Sequence, residues 1–246
     1  MEDEVWERLT TAAAAVGGRF CSTTTRFVSQ TTDWTCSFAS AQMVISCLVL
    51  LPEYKPIFRG VVPTVREIQQ QIELAWEAGF DSAGGEYFQF KLVDTKRRIG
   101  ITDLAAMFRM YKVPTRIVDF SHGKFADVEL FCHRYFYNSN AVLPLLLGTR
   151  NHTVVVVGCE QRPASGGGGR LLVFDPAMHV KDASDSARNH LHHFFLPRAK
   201  MARHRQFQLA LFGGESNPFT SLDNVQSGSK LLVGLHPNKI EFVVEL

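Results

Sequence analysis

The sequence predicts an α+β fold in which a helix that begins near Cys36 packs on a mostly antiparallel sheet. Segments with helical spacing or helix-capping signals fill the first half of the chain, up to about Tyr137. Runs rich in β-branched residues fill the second half, as from Thr153 to Cys159. No repeat and no long linker separates the two halves, which favours one domain over residues 1–246.

Local signals mark the helices. The predicted helices cover residues 1–16, 36–51, 64–78, 102–111 and 128–137, with an edge strand or extended loop at 20–30 and a loop of small residues at 81–85. Thr64 and Glu67 have the spacing of a capping box, in which each side chain pairs with the backbone of the other residue. Thr102 is a good N-cap for the fourth helix.

Runs of strand-forming residues follow one another in the second half. The predicted strands cover residues 113–120, 143–147, 153–159, 171–174, 207–212 and 230–235, with a last run to Leu246. The run 153–157 is β-branched throughout, which is typical of a central strand buried on both faces. The glycines at 166–169 predict a hairpin tip. They do not predict a phosphate-binding loop, because such a loop is followed by the start of a helix and this run is not.

The bulk composition argues against several classes of function. The formal net charge of +2 favours neither a nucleic-acid partner nor an anionic membrane. The basic segment 198–205 is the local exception, and we interpret it as a solvated helix face. Five cysteines without a CxxC pair argue against both a disulfide framework and a structural zinc site. We expect neither a metal nor an organic cofactor.

The cysteines and the N-terminus also indicate a location. Unpaired cysteines are typical of a reducing compartment. Residues 1–7 are acidic where a signal peptide is basic, and no apolar run approaches the roughly 18 residues of a membrane span. We therefore expect a cytoplasmic or nuclear protein.

Cys36 is the candidate nucleophile, because it follows a polar loop and lies in the first turn of an apolar helix. Backbone N–H groups without intrahelical partners, and the positive end of the helix dipole, favour a thiolate there. A neighbouring imidazolium lowers the pKa of such a thiol further. Cys47 and Cys159 fall at apolar positions of a helix and a strand, which is typical of core cysteines.

His152 and Asp175 are the candidate base and the acid that orients it. His152 precedes the β-branched strand and Asp175 ends the next one, so an antiparallel hairpin brings both to the same end of the sheet. The register is open. A ladder that stops at Glu160 and Arg170 puts His152 nearer to His179, which is therefore a second candidate base. Cys, His and Asp in this chain order are the parts of a papain-type thiol hydrolase.

Gln30 is the candidate side chain for an oxyanion hole. It precedes Cys36 by six residues, the offset at which papain-like hydrolases place a side-chain amide beside the backbone N–H of the cysteine. Asp33 and Thr35 lie closer to Cys36 and are alternative caps of its helix.

Several blocks of the sequence together resemble one peptidase family. The motif Asp33-Trp34-Thr35-Cys36 with Gln42 resembles the nucleophile motif of the ubiquitin-fold-modifier-specific peptidase clan, especially its deubiquitinating ZUFSP branch. Further similar blocks, in consistent order, cover residues 68–81, 95–100, 117–120, 152–158, 171–176 and 205–209. The family usually has glycine beside the cysteine, where this chain has threonine and serine.

The residue after Asp175-Pro176 distinguishes the two branches of this clan. In the modifier-specific branch the acid precedes the base in an Asp-Pro-His triplet, whereas this chain has Ala177 in the third position. The resemblance therefore favours the ubiquitin branch. It implies a papain-like cysteine isopeptidase that hydrolyses the bond after the C-terminal glycine of ubiquitin in polyubiquitin chains or conjugates, with chains linked through lysine sixty-three as the family's preference.

The resemblance also implies roles for named residues. Cys36 is the nucleophile, His152 the base and Asp175 the acid that holds the imidazole. The alternative functions are a peptidase for the ubiquitin-fold modifier and a ubiquitin-binding module without turnover.

The substrate-binding candidates follow from the chemistry of ubiquitin. Its tail is basic and ends in two glycines, so we expect a narrow cleft lined by acids. Trp34, Glu77 and Asp81 are the candidates, and the two acids are alternatively surface charges at a helix end.

Overall fold

The computed structural model describes residues 2–14, 18–121, 124–138, 143–161, 169–179, 191–213, 230–236 and 239–245. Its helices are α1 (Glu2–Ala14), α2 (Cys36–Leu48), α3 (Val65–Glu77), α4 (Ser82–Phe88), α5 (Ile101–Met110), α6 (Phe125–Asn138) and the single turn α7 (Arg198–Met201), with a 3₁₀ helix at Leu191–Phe194. Its strands are β1 (Arg19–Phe20), β2 (Thr115–Ser121), β3 (Leu145–Gly148), β4 (Thr153–Cys159), β5 (Leu171–Phe174), β6 (Gln206–Phe212), β7 (Lys230–His236) and β8 (Lys239–Glu245).

Eight strands form one sheet in this part of the chain. Their order is β1–β4–β3–β6–β2–β8–β7, and β5 pairs with β4. Of these pairings only that between β2 and β8 is parallel, so the predicted α+β fold with a mostly antiparallel sheet is confirmed. Every residue of β4 is buried, as its β-branched run predicts. Residues 166–168 of the predicted hairpin tip lie outside the described residues.

Helix α2 is a core helix. All of its residues except Gln42 are buried, so the rest of the domain encloses this largely apolar helix. One apolar cluster joins it to residues from Val5 in α1 to Phe212 in β6. The division of residues 1–246 into domains stays a prediction. In the described residues, no helix combines the length and the apolar character that crossing a membrane requires.

The capping box predicted at the start of α3 is confirmed. The Thr64 backbone N–H donates to Glu67 Oε2 at 2.7 Å, and the Glu67 N–H donates to the Thr64 hydroxyl. The apolar stripe of the helix, which includes Ile68, Ile72 and Trp76, is buried.

The loop predicted at residues 81–85 is wrong, because these residues begin helix α4. The prediction followed the low helix propensity of the glycines. The Asp81 carboxylate caps the helix by accepting from the Gly84 N–H at 3.3 Å, and Phe88 stacks on Trp76 with ring centroids 5.1 Å apart. A Cβ on Gly85 would lie 2.5 Å from the Phe90 ring, so glycine allows this ring to pack closely on the helix.

Helix α5 begins earlier than its predicted cap at Thr102. Its N-cap is Gly100, whose N–H donates to the buried carboxylate of Asp103 at 2.8 Å. The side chain of the third helical residue thus replaces the predicted N-cap hydroxyl.

The alternatives for residues 20–30 are both partly realised. Strand β1 ends at Phe20, and the rest is an extended loop. The Cys21 N–H donates to Val157 O at 2.9 Å, and the Gln30 N–H donates to Pro176 O at 2.7 Å. These bonds lay the loop across β4 and the turn after β5, where it leads into α2.

Candidate active site

The start of α2 leaves Cys36 at an uncapped helix N-terminus. Thr35 is the N-cap residue, but its side chain makes no capping bond. Its hydroxyl instead accepts from the backbone N–H groups of Thr31 and Thr32 at 3.2 Å each, and donates to Thr32 O at 2.8 Å. Asp33 forms an ion pair elsewhere, so capping by either side chain is wrong. The helix dipole therefore acts on Cys36 without a competing cap.

A β-bulge brings His152 and Asp175 together. It lies between Val156 and Gly158 and shifts the β4–β5 register, so that Val155 pairs with Phe174. His152 and Asp175 then meet diagonally across the end of the hairpin, with His152 Nε2 2.7 Å from Asp175 Oδ1.

Backbone bonds fix both members of this pair. The Ala177 N–H donates to the same Asp175 oxygen at 2.9 Å. The carbonyl of His152 accepts from the Thr149 N–H at 2.8 Å. The imidazole and the carboxylate are therefore held before any ligand arrives.

The electrostatics of Cys36 and His152 are coupled, since each side chain shifts the pKa of the other. Because Nε2 of His152 is bound to Asp175, Nδ1 is the ring nitrogen that remains for the thiol. Burial opposes a charge on either group. For Cys36, the bonds from His152 and from the Thr153 backbone N–H outweigh burial and lower the pKa of the thiol.

Asp175 completes a charge arrangement that favours a thiolate–imidazolium pair. Burial would lower the pKa of His152, but its hydrogen bonds to Asp175 and Cys36 outweigh burial and raise that pKa to about 9. Burial likewise opposes the charge of the Asp175 carboxylate. The hydrogen bond from His152 outweighs burial and lowers the pKa of Asp175. A thiol with a lowered pKa beside an imidazole with a raised one carries the charges of an activated nucleophile near neutral pH.

The other cysteines have the opposite electrostatics. Cys21, Cys47, Cys132 and Cys159 are all unpaired and buried. Burial raises the pKa of each of these four thiols, to about 12 for Cys47 and Cys159. Of the five cysteines, Cys36 is thus the one whose surroundings favour the thiolate.

Three hydroxyls that sequence reasoning missed fix the spacing between α2 and β4. Ser37 Oγ donates to Ile99 O at 2.8 Å, so the Thr153 hydroxyl, 2.9 Å away, donates to Ser37 Oγ. Ser40 Oγ donates to Thr153 O at 3.1 Å. Because Ser37 follows Cys36 and Thr153 follows His152, this buried network holds the thiol and the imidazole at a fixed separation. The sequence signal that could have indicated this network is the pair Ser37 and Ser40, which lie three residues apart in an otherwise apolar segment.

Arg98 joins the two loops that carry the thiol and the imidazole. Its guanidinium donates to Asp33 Oδ2 at 2.9 Å and to Asn151 O at 3.0 Å. The predicted substrate contact Trp34 lies beside this bridge, half-buried, with its ring edge-on to Phe38 at 5.6 Å. Its binding role stays a prediction.

Gln30 lies where the extended loop meets the turn after β5. Its backbone N–H is bound to Pro176 O, and the neighbouring Ser29 hydroxyl donates to Met178 O at 2.8 Å. Its side-chain Oε1 is buried and has no hydrogen-bond partner among the described residues. Oε1 is an acceptor, whereas an oxyanion needs the Nε2 amide as donor, so this atom does not bear on the oxyanion role of Gln30, which stays a prediction.

The two acids predicted to bind substrate, Glu77 and Asp81, lie apart from the candidate triad. Glu77 is exposed at the end of α3, and Asp81 caps α4. The described residues give no hydrogen bond or ion pair from either acid to Cys36, His152 or Asp175. Their contact with the ubiquitin tail stays a prediction.

His179, the second candidate base, is exposed just after the Asp175 turn. Within the described residues, the side chain that is hydrogen-bonded to Asp175 is His152 and not His179. Nor do these residues include three His, Cys, Asp or Glu side chains placed to hold a metal ion.

A sequence profile matches this region of the chain. The profile of Peptidase family C78 covers residues 19–210, which include Cys36, His152 and Asp175. The chain belongs to peptidase family C78. The predicted resemblance to ZUFSP-type peptidases is thereby confirmed.

Individual relatives agree with this membership of family C78. The zinc finger-containing ubiquitin peptidase 1 of Rattus norvegicus is 26% identical over 207 residues, which cover 75% of this chain and 35% of the relative. The protein of the same name from Homo sapiens is 24% identical over 207 residues, covering 74% and 34%. The chain thus spans about a third of the length of the curated relatives it matches.

A solved structure shows the same fold. The crystal structure of UfSP from C. elegans superposes with a TM-score of 0.58 at 16% identity, covering 81% of this chain and 35% of that one. The predicted papain-like class, with the helix of Cys36 on an antiparallel sheet, is confirmed.

Proposed function

We propose that this C78 peptidase is a deubiquitinase, a thiol isopeptidase that hydrolyses the bond after the C-terminal glycine of ubiquitin. One observation carries the proposal. His152, whose Nε2 is 2.7 Å from Asp175, lowers the pKa of the Cys36 thiol, and all three residues lie in the region that matches a peptidase family. The relatives are ubiquitin peptidases by name, and Asp175-Pro176 is followed by alanine instead of histidine; both facts support ubiquitin as the substrate.

The proposed reaction uses the charges already present. The Cys36 thiolate attacks the carbonyl carbon of the Gly–Lys isopeptide bond, and the Cys36 backbone N–H and the Gln30 amide stabilise the oxyanion. The imidazolium of His152 gives its proton to the leaving lysine amine as the C–N bond breaks. His152 then deprotonates the water that hydrolyses the thioester, while Asp175 holds the ring orientation.

Substrate details are part of the same proposal. Glu77, Asp81 and Trp34 are the candidate contacts of the ubiquitin tail, and chains linked through lysine sixty-three are the proposed preference. We also propose a cytoplasmic or nuclear location, which the five unpaired cysteines support.

Ubiquitin that carries a C-terminal propargylamide tests this function. We expect a covalent adduct on Cys36, located by peptide mass spectrometry, and no adduct with the Cys36→Ala protein. The ubiquitin-fold modifier with the same electrophile is the parallel reagent. An adduct with the modifier alone would assign the chain to that modifier. Ubiquitin binding without any adduct would make it a binding module.

A further inference from the structure

A cavity of about 330 Å³ opens beside two members of the candidate triad, and Cys36 is not part of its lining. His152 and Asp175 line it, together with Asn151 and Thr149 from the turn before β4. Leu147 from β3 and other buried apolar residues line its inner part. This volume lies at the lower end of the range for ligand pockets, which suits a few side chains.

The outer part of the cavity is basic. Lys200 and Arg203 line it and are exposed, and His204 is half-buried beside them. Within the described residues, neither Lys200 nor Arg203 takes part in an ion pair. Arg198 of the same segment instead pairs with the buried Glu129 at 2.6 Å, which anchors α7 against α6.

These contacts correct the sequence-based interpretation of residues 198–205. The segment is not only a solvated helix face, because one arginine anchors it and two cations line a cavity. Among the described residues that line the cavity Asp175 is the one carboxylate; it is bound to His152, and the charge of Lys200 also helps to lower its pKa. The unmatched charge in the cavity is therefore positive, which favours an anionic ligand.

The direction of the proposed reaction says which part of a substrate meets this cavity. His152 gives its proton to the leaving lysine amine, so that amine must lie within hydrogen-bond reach of the imidazole. The segment that carries this lysine then passes on the His152 side of the Cys36 sulfur. The cavity lies on that side of the sulfur, because His152 and Asp175 form part of its wall and Cys36 does not.

We propose that this cavity is an acceptor-side subsite that binds an acidic peptide segment beside the modified lysine. The carboxylates of the segment pair with Lys200 and Arg203, and its apolar side chains fill the inner part. A nucleic-acid strand fits the cavity less well, because its described lining residues include no Phe, Tyr or Trp to stack a base. The subsite rests on the proposed function for its place in the reaction, but not for its ligand chemistry.

Peptide binding to the Cys36→Ala protein tests the subsite without turnover. The probes are two labelled peptides of equal length, in which a central lysine is flanked by glutamates or by lysines. We expect the acidic peptide to bind at least about tenfold more tightly at low salt, and the difference to shrink as salt rises.

Charge reversal locates the effect. Arg203→Glu and Lys200→Glu should each remove most of the preference for the acidic peptide. Arg205→Glu is the matched control, because it makes the same change in the same exposed segment at a residue outside the cavity lining. It should keep the preference.

Three results would overturn the subsite. The protein could bind both peptides equally well. The preference for the acidic peptide could survive Arg203→Glu and Lys200→Glu, or these two substitutions and Arg205→Glu could weaken it equally. Tighter binding of a single-stranded oligonucleotide of equal charge would assign the cavity to nucleic acid instead. If the peptide preference fails but ubiquitin still forms an adduct with Cys36, the proposed function stands without the subsite. If no adduct forms but the acidic peptide is still preferred, the subsite stands without the proposed function.

Discussion

The Cys36→Ala protein is expected to lose all measurable cleavage of a ubiquitin conjugate while it keeps its fold. The substitution removes the attacking sulfur, and a small apolar side chain fits the buried start of α2. Release of free ubiquitin from a purified chain measures cleavage, and thermal unfolding measures the fold. Retained turnover in the folded variant would exclude Cys36 as the nucleophile.

Cys47→Ala is the matched control for this substitution. Cys47 lies in the same helix, is fully buried, and has a pKa raised to about 12. We expect turnover to persist and the free energy of unfolding to fall by about 1 kcal/mol, because a truncation in the core leaves a small void. Loss of turnover in a stable Cys47→Ala protein would show that Cys36 was wrongly chosen as the nucleophile.

His152→Ala is expected to slow formation of the acyl-enzyme by about a thousandfold, the usual scale for loss of a general acid–base. The variant removes both the group that lowers the pKa of Cys36 and the group that protonates the leaving amine. His179→Ala, at an exposed position on the next loop, should stay within about tenfold of the wild type. Single-turnover kinetics with a ubiquitin amide measures both rates. The reverse order of effects would make His179 the base.

Local signals in the sequence were sufficient for the elements that depend on neighbouring residues. The Thr64–Glu67 capping box and the buried strand β4 are formed as predicted, because both depend on residues a few positions apart. Helix α4 was missed because its glycines oppose a helix locally, whereas the Asp81 cap and the stacking of Phe88 on Trp76 decide the outcome.

The internal geometry of the candidate site depends on contacts that local signals do not contain. The sequence predicted Cys36, His152 and Asp175 as a set, but left the pairing of β4 with β5 open. The bulge before Gly158 determines that pairing, and no nearby residue pattern marks it. The Ser37–Thr153 bond likewise joins residues 116 positions apart, so that only the folded chain shows why serine follows the cysteine.

The pH dependence of the thiol reports on the central claim, that Cys36 and His152 form a thiolate–imidazolium pair. The lowered pKa of Cys36 means that the thiolate forms below the ordinary thiol pKa of about 8.5. The raised pKa of His152 means that the imidazolium persists until its proton is lost near pH 9. The pair therefore exists between these two pKa values, and peptidase activity should rise at the lower one and fall at the upper one.

The rate of alkylation by iodoacetamide, measured from pH 5 to pH 10, tests this pair most directly. The four other cysteines are buried with raised pKa values, so the modification reports on Cys36. The wild type should show one step below the ordinary thiol range and a second near pH 9, whereas His152→Ala should show a single step at or above the ordinary thiol pKa. A single step at the same pH in both proteins would contradict the pair.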